Sequence, residues 1–345
     1  MSGSKFSRLT VPLIQGGMGV GISLGGLAGA VAREGAMGVI STASIGFTEK
    51  DFYENPAEAS ERALRREIRK AREISEGKGM VAVNAMSVTT DFARLVKAAA
   101  DEGIDAVISG AGLPTELPEL LTGSDALAIP IVSSAKAAKV ITGLWKRHHG
   151  YTPDAIVVEG PKAGGHLGFA KEELLAGTCP PLTETVAEVS RLFPEIPVFG
   201  AGGVRSPEDV KAVMDAGACG VQVATPFILT EECDASEGFK RAIAEAGEDA
   251  IFILKSPVGM PGRGLKTPLT EAVAAGRRFP PSKCVRCIRT CNPAETPYCI
   301  TEALKNAYLG NRETGLFFSG ESGAYINEIK TVKQVVENLF GKDGI

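Results

Sequence analysis

The chain has 345 residues, of which 44% are hydrophobic and 23% charged, enough to bury the core of one large α/β barrel or of two ordinary domains. Its 37 Lys and Arg against 41 Asp and Glu give a formal charge of −4, without the basic excess that a phosphate backbone demands, so nucleic acid is excluded as a partner. The N-terminus MSGSKFSRLT has no apolar targeting core, and no stretch reaches the roughly 18 uncharged apolar residues of a membrane span, so the expectation is a soluble cytoplasmic protein.

Short β-branched runs recur along the chain: VPLI from Val11, GVIS from Gly38, MVAVN from Met80, DAVISG from Asp105, AIPIVSS from Ala128, DAIVVEG from Asp154, IPVFGAGG from Ile196 and GVQVAT from Gly220. Continuous apolar strands are those buried on both faces of a parallel sheet, and eight of them alternating with helices fit an α/β fold of the (β/α)8 TIM-barrel class. The helices 91–101, 135–147 and 207–216 run into Gly103, Gly150 and Gly217, the residue type that best ends a helix. The connection 47–79 is long and charged, and Leu64, Ile68, Ala71 and Ile74 give it an amphipathic helical stripe for packing on the barrel rim. Residues 1–250 are read as the barrel and 251–345 as a C-terminal extension packed on it. That extension opens with a further strand at 251–254, continues through the Gly/Pro-rich loop SPVGMPGRGLKTP, and closes in a helix near 331–340.

A barrel of this kind places its site at the C-terminal ends of its strands. Those ends carry QGGMG (15–19), Asn84, AGG (201–203) and the pair Ala224-Thr225. Bare backbone N–H groups and a hydroxyl after the last two strands suit phosphate oxygens, and glycine lets a ligand approach where a Cβ would block it. The four ends together point to a phosphate-bearing ligand and a small-molecule substrate.

One of only three histidines, His166, follows the sixth strand in VEGPKAGGHLGF, flanked by glycines that should leave it uncovered in the same mouth. An imidazole near its ordinary pKa of about 6.5 can accept a proton from a carbon acid or hydrogen-bond a carbonyl or nitro oxygen. His148 and His149 stand at a helix C-terminus, where the dipole favours positive charge.

With these residues assembled, the chain resembles the nitronate monooxygenase (2-nitropropane dioxygenase) family, which includes flavin-dependent enoyl-acyl-carrier-protein reductases. The resemblance rests on PLIQGGMG from Pro12, VAVNAM from Val81, VVEGPKAGGHLG from Val157, VFGAGGVRSPEDV from Val198 and GVQVATPF from Gly220. It implies a TIM barrel with bound FMN, in which Gly17 and Met18 lie against the flavin, Asn84 hydrogen-bonds it, and Gly164 and Gly165 line the pocket. Gly202, Gly203, Gln222, Ala224 and Thr225, with Lys136 as an addition, would hold the ribityl phosphate, although Ala224 replaces a glycine of many members. His166 matches the family's catalytic histidine, and Arg263 in GMPGRGLKTPL is a candidate pocket-lid residue. The implied activity is oxidation of alkyl nitronates with His166 as base. The alternatives are reduction of an enoyl thioester or quinone with NAD(P)H as donor and, ranked lower, a flavin-binding redox sensor. A homodimer is compatible with the reading.

Seven cysteines, an odd number, argue against a disulfide framework, and four of them crowd into the extension as C-x2-C-x3-C-x7-C: Cys284, Cys287, Cys291 and Cys299. All-thiolate ligation at this spacing predicts a [4Fe–4S] cluster, with tetrahedral zinc second and free or disulfide-paired thiols as the remaining alternative. A cluster feeding electrons to FMN would favour a reductase over an oxygen-using enzyme.

Overall fold

The computed structural model describes residues 4–341. Its barrel strands are β1 (Leu13–Gln15), β2 (Met37–Ser41), β3 (Met80–Met86), β4 (Ala106–Gly110), β5 (Leu127–Val132), β6 (Ile156–Glu159), β8 (Val198–Ala201) and β9 (Gly220–Val223); β7 (Gly165–His166) stands outside the barrel. All barrel neighbours pair in parallel, and β9 closes on β1 through Leu13↔Val221 and Gln15↔Val223. The eight strands coincide with the eight apolar runs of the sequence.

Alternate strand residues supply two concentric cores, as the two-residue period of a strand requires. Ile14, Val39, Met80, Ala82, Ile108, Ile129, Val157 and Phe199 fill the barrel interior. Their neighbours Leu13, Ile40, Val81, Val83, Val107, Val158 and Val221 face the surrounding helices. Phe6 and Leu9 join the interior cluster, with the Phe6 ring 6.2 Å from that of Phe199, so the segment before β1 plugs the barrel. Burying each such side chain contributes about 2–3 kcal/mol.

The charged connection after β2 folds as the helix Pro56–Ser75, which buries Ala59, Ala63, Leu64, Ile68 and Ala71. It lies across the helix Gly25–Arg33, where a Cβ on Gly29 would stand 2.6 Å from Ile74. Its outer face carries an Arg–carboxylate network in which Arg65 reaches Glu61, Asp101 and Glu102.

The segment that reads as a Gly/Pro-rich loop is in large part a hairpin. β10 (Ile251–Lys255) pairs antiparallel with β11 (Pro261–Leu265), and β11 pairs with β7 through Gly262↔His166 and Arg263↔Gly165. Gly264 lets residues 317 and 318 lie against β11, because a Cβ there would meet the Phe317 carbonyl at 2.4 Å. After it come the helices Pro268–Ala274, Ile300–Tyr308 and Val332–Phe340, the last capped by Thr331 and Gln334. Phe317 stacks on Phe239 at 5.1 Å and joins Ala307 and Val332 in the outer core, so residues beyond 250 share the barrel's main core. No helix among the described residues is long and apolar enough to cross a membrane.

Candidate active site

The C-terminal ends of the strands surround a cavity of about 380 Å³. The loop after β1 forms one wall. Gln15, wholly buried, donates through Nε2 to the Gly16 carbonyl (2.6 Å) and accepts through Oε1 from the Val39 N–H (3.0 Å), which pins that loop in place. Gly17 must be glycine, since a Cβ would lie 2.4 Å from the Asn84 Cβ. Met18, Asn84, Gly164, Gly165, Gln222, Ala224 and Thr225 line the same cavity. So do Gly202 and Gly203, whose φ values of 94° and 92° turn successive backbone amides through a left-handed bend. Such consecutive amides make an anion-binding concavity. The Thr225 hydroxyl accepts from the Gly320 N–H (3.0 Å), leaving its own hydrogen to donate.

This cradle fits FMN in size and donor set: glycine-lined backbone and a hydroxyl at one side for phosphate, Asn84 and Met18 at the other for a planar ring. Of the residues expected to hold the cofactor, Lys136 is absent from the wall: it is exposed in the first turn of the helix Ala135–His149, whose Ser134 and Ala137 reach the cavity instead. The cation on this rim is Lys162, whose Nζ lies 3.0 Å from Glu321.

His166 is delivered by β7, and its surroundings differ from the sequence expectation. The Gly262 backbone opposite, the buried Ser256 and the Phe318 ring, which also lines the cavity, pack around it. Its Nε2 shares a 2.7 Å hydrogen bond with the Ser256 hydroxyl, and the Phe318 ring meets it edge-on at 5.0 Å. Burial pushes its pKa down to about 4, because the charged imidazolium loses hydration that no carboxylate replaces. The imidazole is therefore neutral at physiological pH, better suited to donating an N–H than to abstracting a proton. Arg263 is no lid: its guanidinium donates to the Pro161 and Ala163 carbonyls at 2.5 and 2.8 Å, clamping the loop that carries His166.

Sequence reasoning missed four participants. Glu159 ends β6 and lines the cavity, and burial pushes its carboxyl up to about 8, only partly offset by a hydrogen bond from the Gly168 backbone. Its signal was in plain view, a carboxylate directly after an apolar strand. Ser256, Phe318 and Gly320 come from the extension and have no local signal.

A second, apolar chamber of about 130 Å³ meets the first at His166, Met86 and Leu304. Val20, Phe52, Val88, Val258, Ile288 and Ile300 supply its walls.

The expected four-cysteine centre finds no support in the structure. Cys284 is exposed, Cys287, Cys291 and Cys299 are half-buried, and all four are free thiols. Among the described residues no three His, Cys, Asp or Glu side chains are placed to hold a metal ion, so the structure gives no support to the expected [4Fe–4S] or zinc centre. Backbone bonds fix this loop instead: the Thr90 N–H donates to the Cys287 carbonyl and the Arg289 N–H to the Val88 carbonyl, both at 3.1 Å. Cys287 and Cys291 pack as small apolar side chains beside Ile288, Tyr298 and Leu316. Burial pushes the Cys287 thiol up to about 11.

Comparison with known proteins agrees with this geometry. Residues 3–342 match the family model described as nitronate monooxygenase. A Mycobacterium tuberculosis protein named (3aS,4S,5R,7aS)-5-hydroxy-7a-methyl-1-oxo-octahydro-1H-indene-4-carboxyl-CoA dehydrogenase is 24% identical over 95% of this chain and 91% of its own length. The nitronate monooxygenase of Pseudomonas aeruginosa is 28% identical over 54% of this chain and 52% of its own. Among solved structures, FabK from Thermotoga maritima superposes with a TM-score of 0.75 at 27% identity, covering 96% of this chain and 93% of its own.

Proposed function

The chain belongs to the nitronate monooxygenase family and is an oxidoreductase, and we propose that it uses FMN to reduce an α,β-unsaturated, apolar acyl thioester with NAD(P)H. The observation that carries this reading is the apolar chamber opening onto His166, space that a small alkyl nitronate would not need. The similarity to the carboxyl-CoA dehydrogenase and to FabK, an enoyl-acyl-carrier-protein reductase, over more than nine-tenths of the chain supports it.

Bound FMN supplies a two-electron relay between donor and substrate. The Gly202-Gly203 bend, Ala224 and Thr225 would hold its phosphate, while Gly17, Met18, Asn84, Gly164 and Gly165 leave room for the ring system. His166, held by Ser256, offers a neutral N–H to the thioester carbonyl and so stabilises the negative charge that builds on that oxygen as hydride reaches the β-carbon. One hydride and one proton are taken up, and NAD(P)⁺ and the saturated thioester leave.

Nitronate oxidation is the second reading, favoured by the Pseudomonas relative and by the equal fit of a neutral His166 to a nitro oxygen. Anaerobic mixing of the FMN-loaded protein separates the two. Bleaching of the flavin by NADH or NADPH, and recovery of its colour on adding an enoyl thioester, is expected. Bleaching by an alkyl nitronate alone, with no response to reduced nicotinamide, refutes the thioester reading.

A further inference from the structure

The outer end of the apolar chamber carries a group of charges that the chemistry at His166 leaves unused. Between residues 277 and 293 the chain has five cations, Arg277, Arg278, Lys283, Arg286 and Arg289, and no carboxylate, in a protein of net charge −4. Three are engaged: Arg278 donates to the Ala294 and Thr296 carbonyls, Arg289 reaches Glu116 at 3.4 Å, and Arg277 lies 5.1 Å over the Phe279 ring. Lys283 and Arg286 have no ion-pair partner among the described residues.

Arg286 is exposed, lines the chamber and adopts φ 50°. Its position is fixed, since its carbonyl accepts from the Thr90 hydroxyl at 2.5 Å. The ammonium groups of Lys283 and Lys305 converge on one ring, that of Tyr53, at 5.3 and 5.1 Å, and Tyr53 packs edge-on against the chamber residue Phe52. Neighbouring carboxylates are largely spent: Asp51 and Glu49 bind Arg62 and Arg66, and Glu58 and Glu61 bind Arg94. Three carboxylates remain: Glu302, accepting from Ser282 at 3.3 Å, exposed Glu54 next to Tyr53, and Asp91 in the chamber lining.

We propose that Lys283, Arg286 and Lys305 form a phosphate subsite for the coenzyme A moiety of a thioester whose acyl group occupies the chamber. Phosphate is the chemistry that cations free of ion pairs at the rim of an apolar cavity recognise, here the two lysines that converge on Tyr53 and Arg286 on the chamber wall, through charge-assisted hydrogen bonds. A free coenzyme fits better than a carrier protein, since two ammonium groups on one aromatic ring beside the chamber, with Arg286 on its wall, form a compact site rather than a broad docking face. The assignment deepens the thioester reading above and rests on it.

The test uses the FMN-loaded protein, wild type and the variants Arg286→Gln and Lys283→Gln/Lys305→Gln. Binding of coenzyme A itself is measured by calorimetry. Turnover is compared for one enoyl group carried on coenzyme A and on N-acetylcysteamine, which has no phosphate. Coenzyme A affinity, and selectivity for its thioester, should each fall about tenfold or more in the variants, with added salt weakening the wild type in the same direction. Equal losses on both thioesters, unchanged coenzyme A binding, or turnover only with the acyl group on an acidic carrier protein would overturn the subsite. If the wild type turns over neither thioester, the thioester reading falls, and the calorimetry still decides whether the three cations hold the coenzyme.

Discussion

His166 should remain neutral far below the pH at which a free imidazole becomes charged. Enclosed by Ser256, Phe318 and the β11 backbone without a carboxylate partner, it has its pKa pushed from about 6.5 to about 4, which corresponds to about 3 kcal/mol against the charged form. At pH 6 roughly 1% of it carries a proton, against about three-quarters of an unperturbed histidine. The assay is a ¹⁵N-histidine titration of the apoprotein between pH 4.5 and 8. With three histidines in the chain, the His166 signals are assigned by their loss in His166→Asn. The stability consequence has a definite sign. The unfolded chain takes up the proton first, so the folded state loses up to about 3 kcal/mol as pH falls from about 6.5 towards 4, and is unaffected above that window. His166→Asn should abolish this part of the acid sensitivity in urea titrations. A His166 midpoint near 6.5 in the intact fold refutes the reasoning, and with it the role of a neutral N–H donor.

Glu159 titrates in the opposite sense. Its folded pKa, raised to about 8, makes the fold less stable as pH rises from about 4.5 to 8, so Glu159→Gln should stabilise the protein at pH 8.5 and not at pH 4. FMN affinity, followed by flavin fluorescence, should decline above pH 8 in the wild type and stay level in that variant. Gly17→Val should weaken FMN binding at least tenfold, since its Cβ would lie 2.4 Å from the Asn84 Cβ and overpacking costs about 1–3 kcal/mol. Gly143→Ala is its control: in the helix Ala135–His149 with open space around the new methyl, it should raise stability by about 0.5–1 kcal/mol and leave FMN affinity alone. Cys284 should react first with a thiol reagent and buried Cys233 last.

The barrel was legible because its signal is local. An apolar run such as MVAVNAM must be buried on both sides, and glycines at strand ends are forced wherever backbone approaches backbone or ligand, as at Gly17 and Gly202. The partners of His166 were not legible, because each is brought in by a long-range contact. PGRGL has no strand propensity and pairs only because Gly262 and Gly264 admit Phe318 and Phe317 alongside. For the same reason His166 read as an uncovered residue with an ordinary pKa. Cysteine spacing is a weaker guide: it counts the ligands a loop could offer, whereas the backbone hydrogen bonds from Thr90 and Arg289 and the packing of Cys287 and Cys291 also act on where the loop places its sulfurs.

The division of labour between barrel and extension follows from these contacts. The glycine cradle that fits FMN belongs mostly to strand ends whose positions are set by barrel closure, so a change there disturbs fold and cofactor together. The chamber beyond His166 is walled mainly by side chains, and Val258, Ile288, Ile300 and Leu304 come from the extension. Those residues can change size without touching the barrel interior. Substrate choice can therefore diverge in residues 251–305 while the chemistry at His166 is kept, provided Arg263 still clamps the Pro161 and Ala163 carbonyls and Ser256 still meets the imidazole. Leu304→Ala, a truncation in a half-buried wall, should then shift chain-length preference towards longer acyl groups; an unchanged preference would mean that the substrate does not enter this chamber.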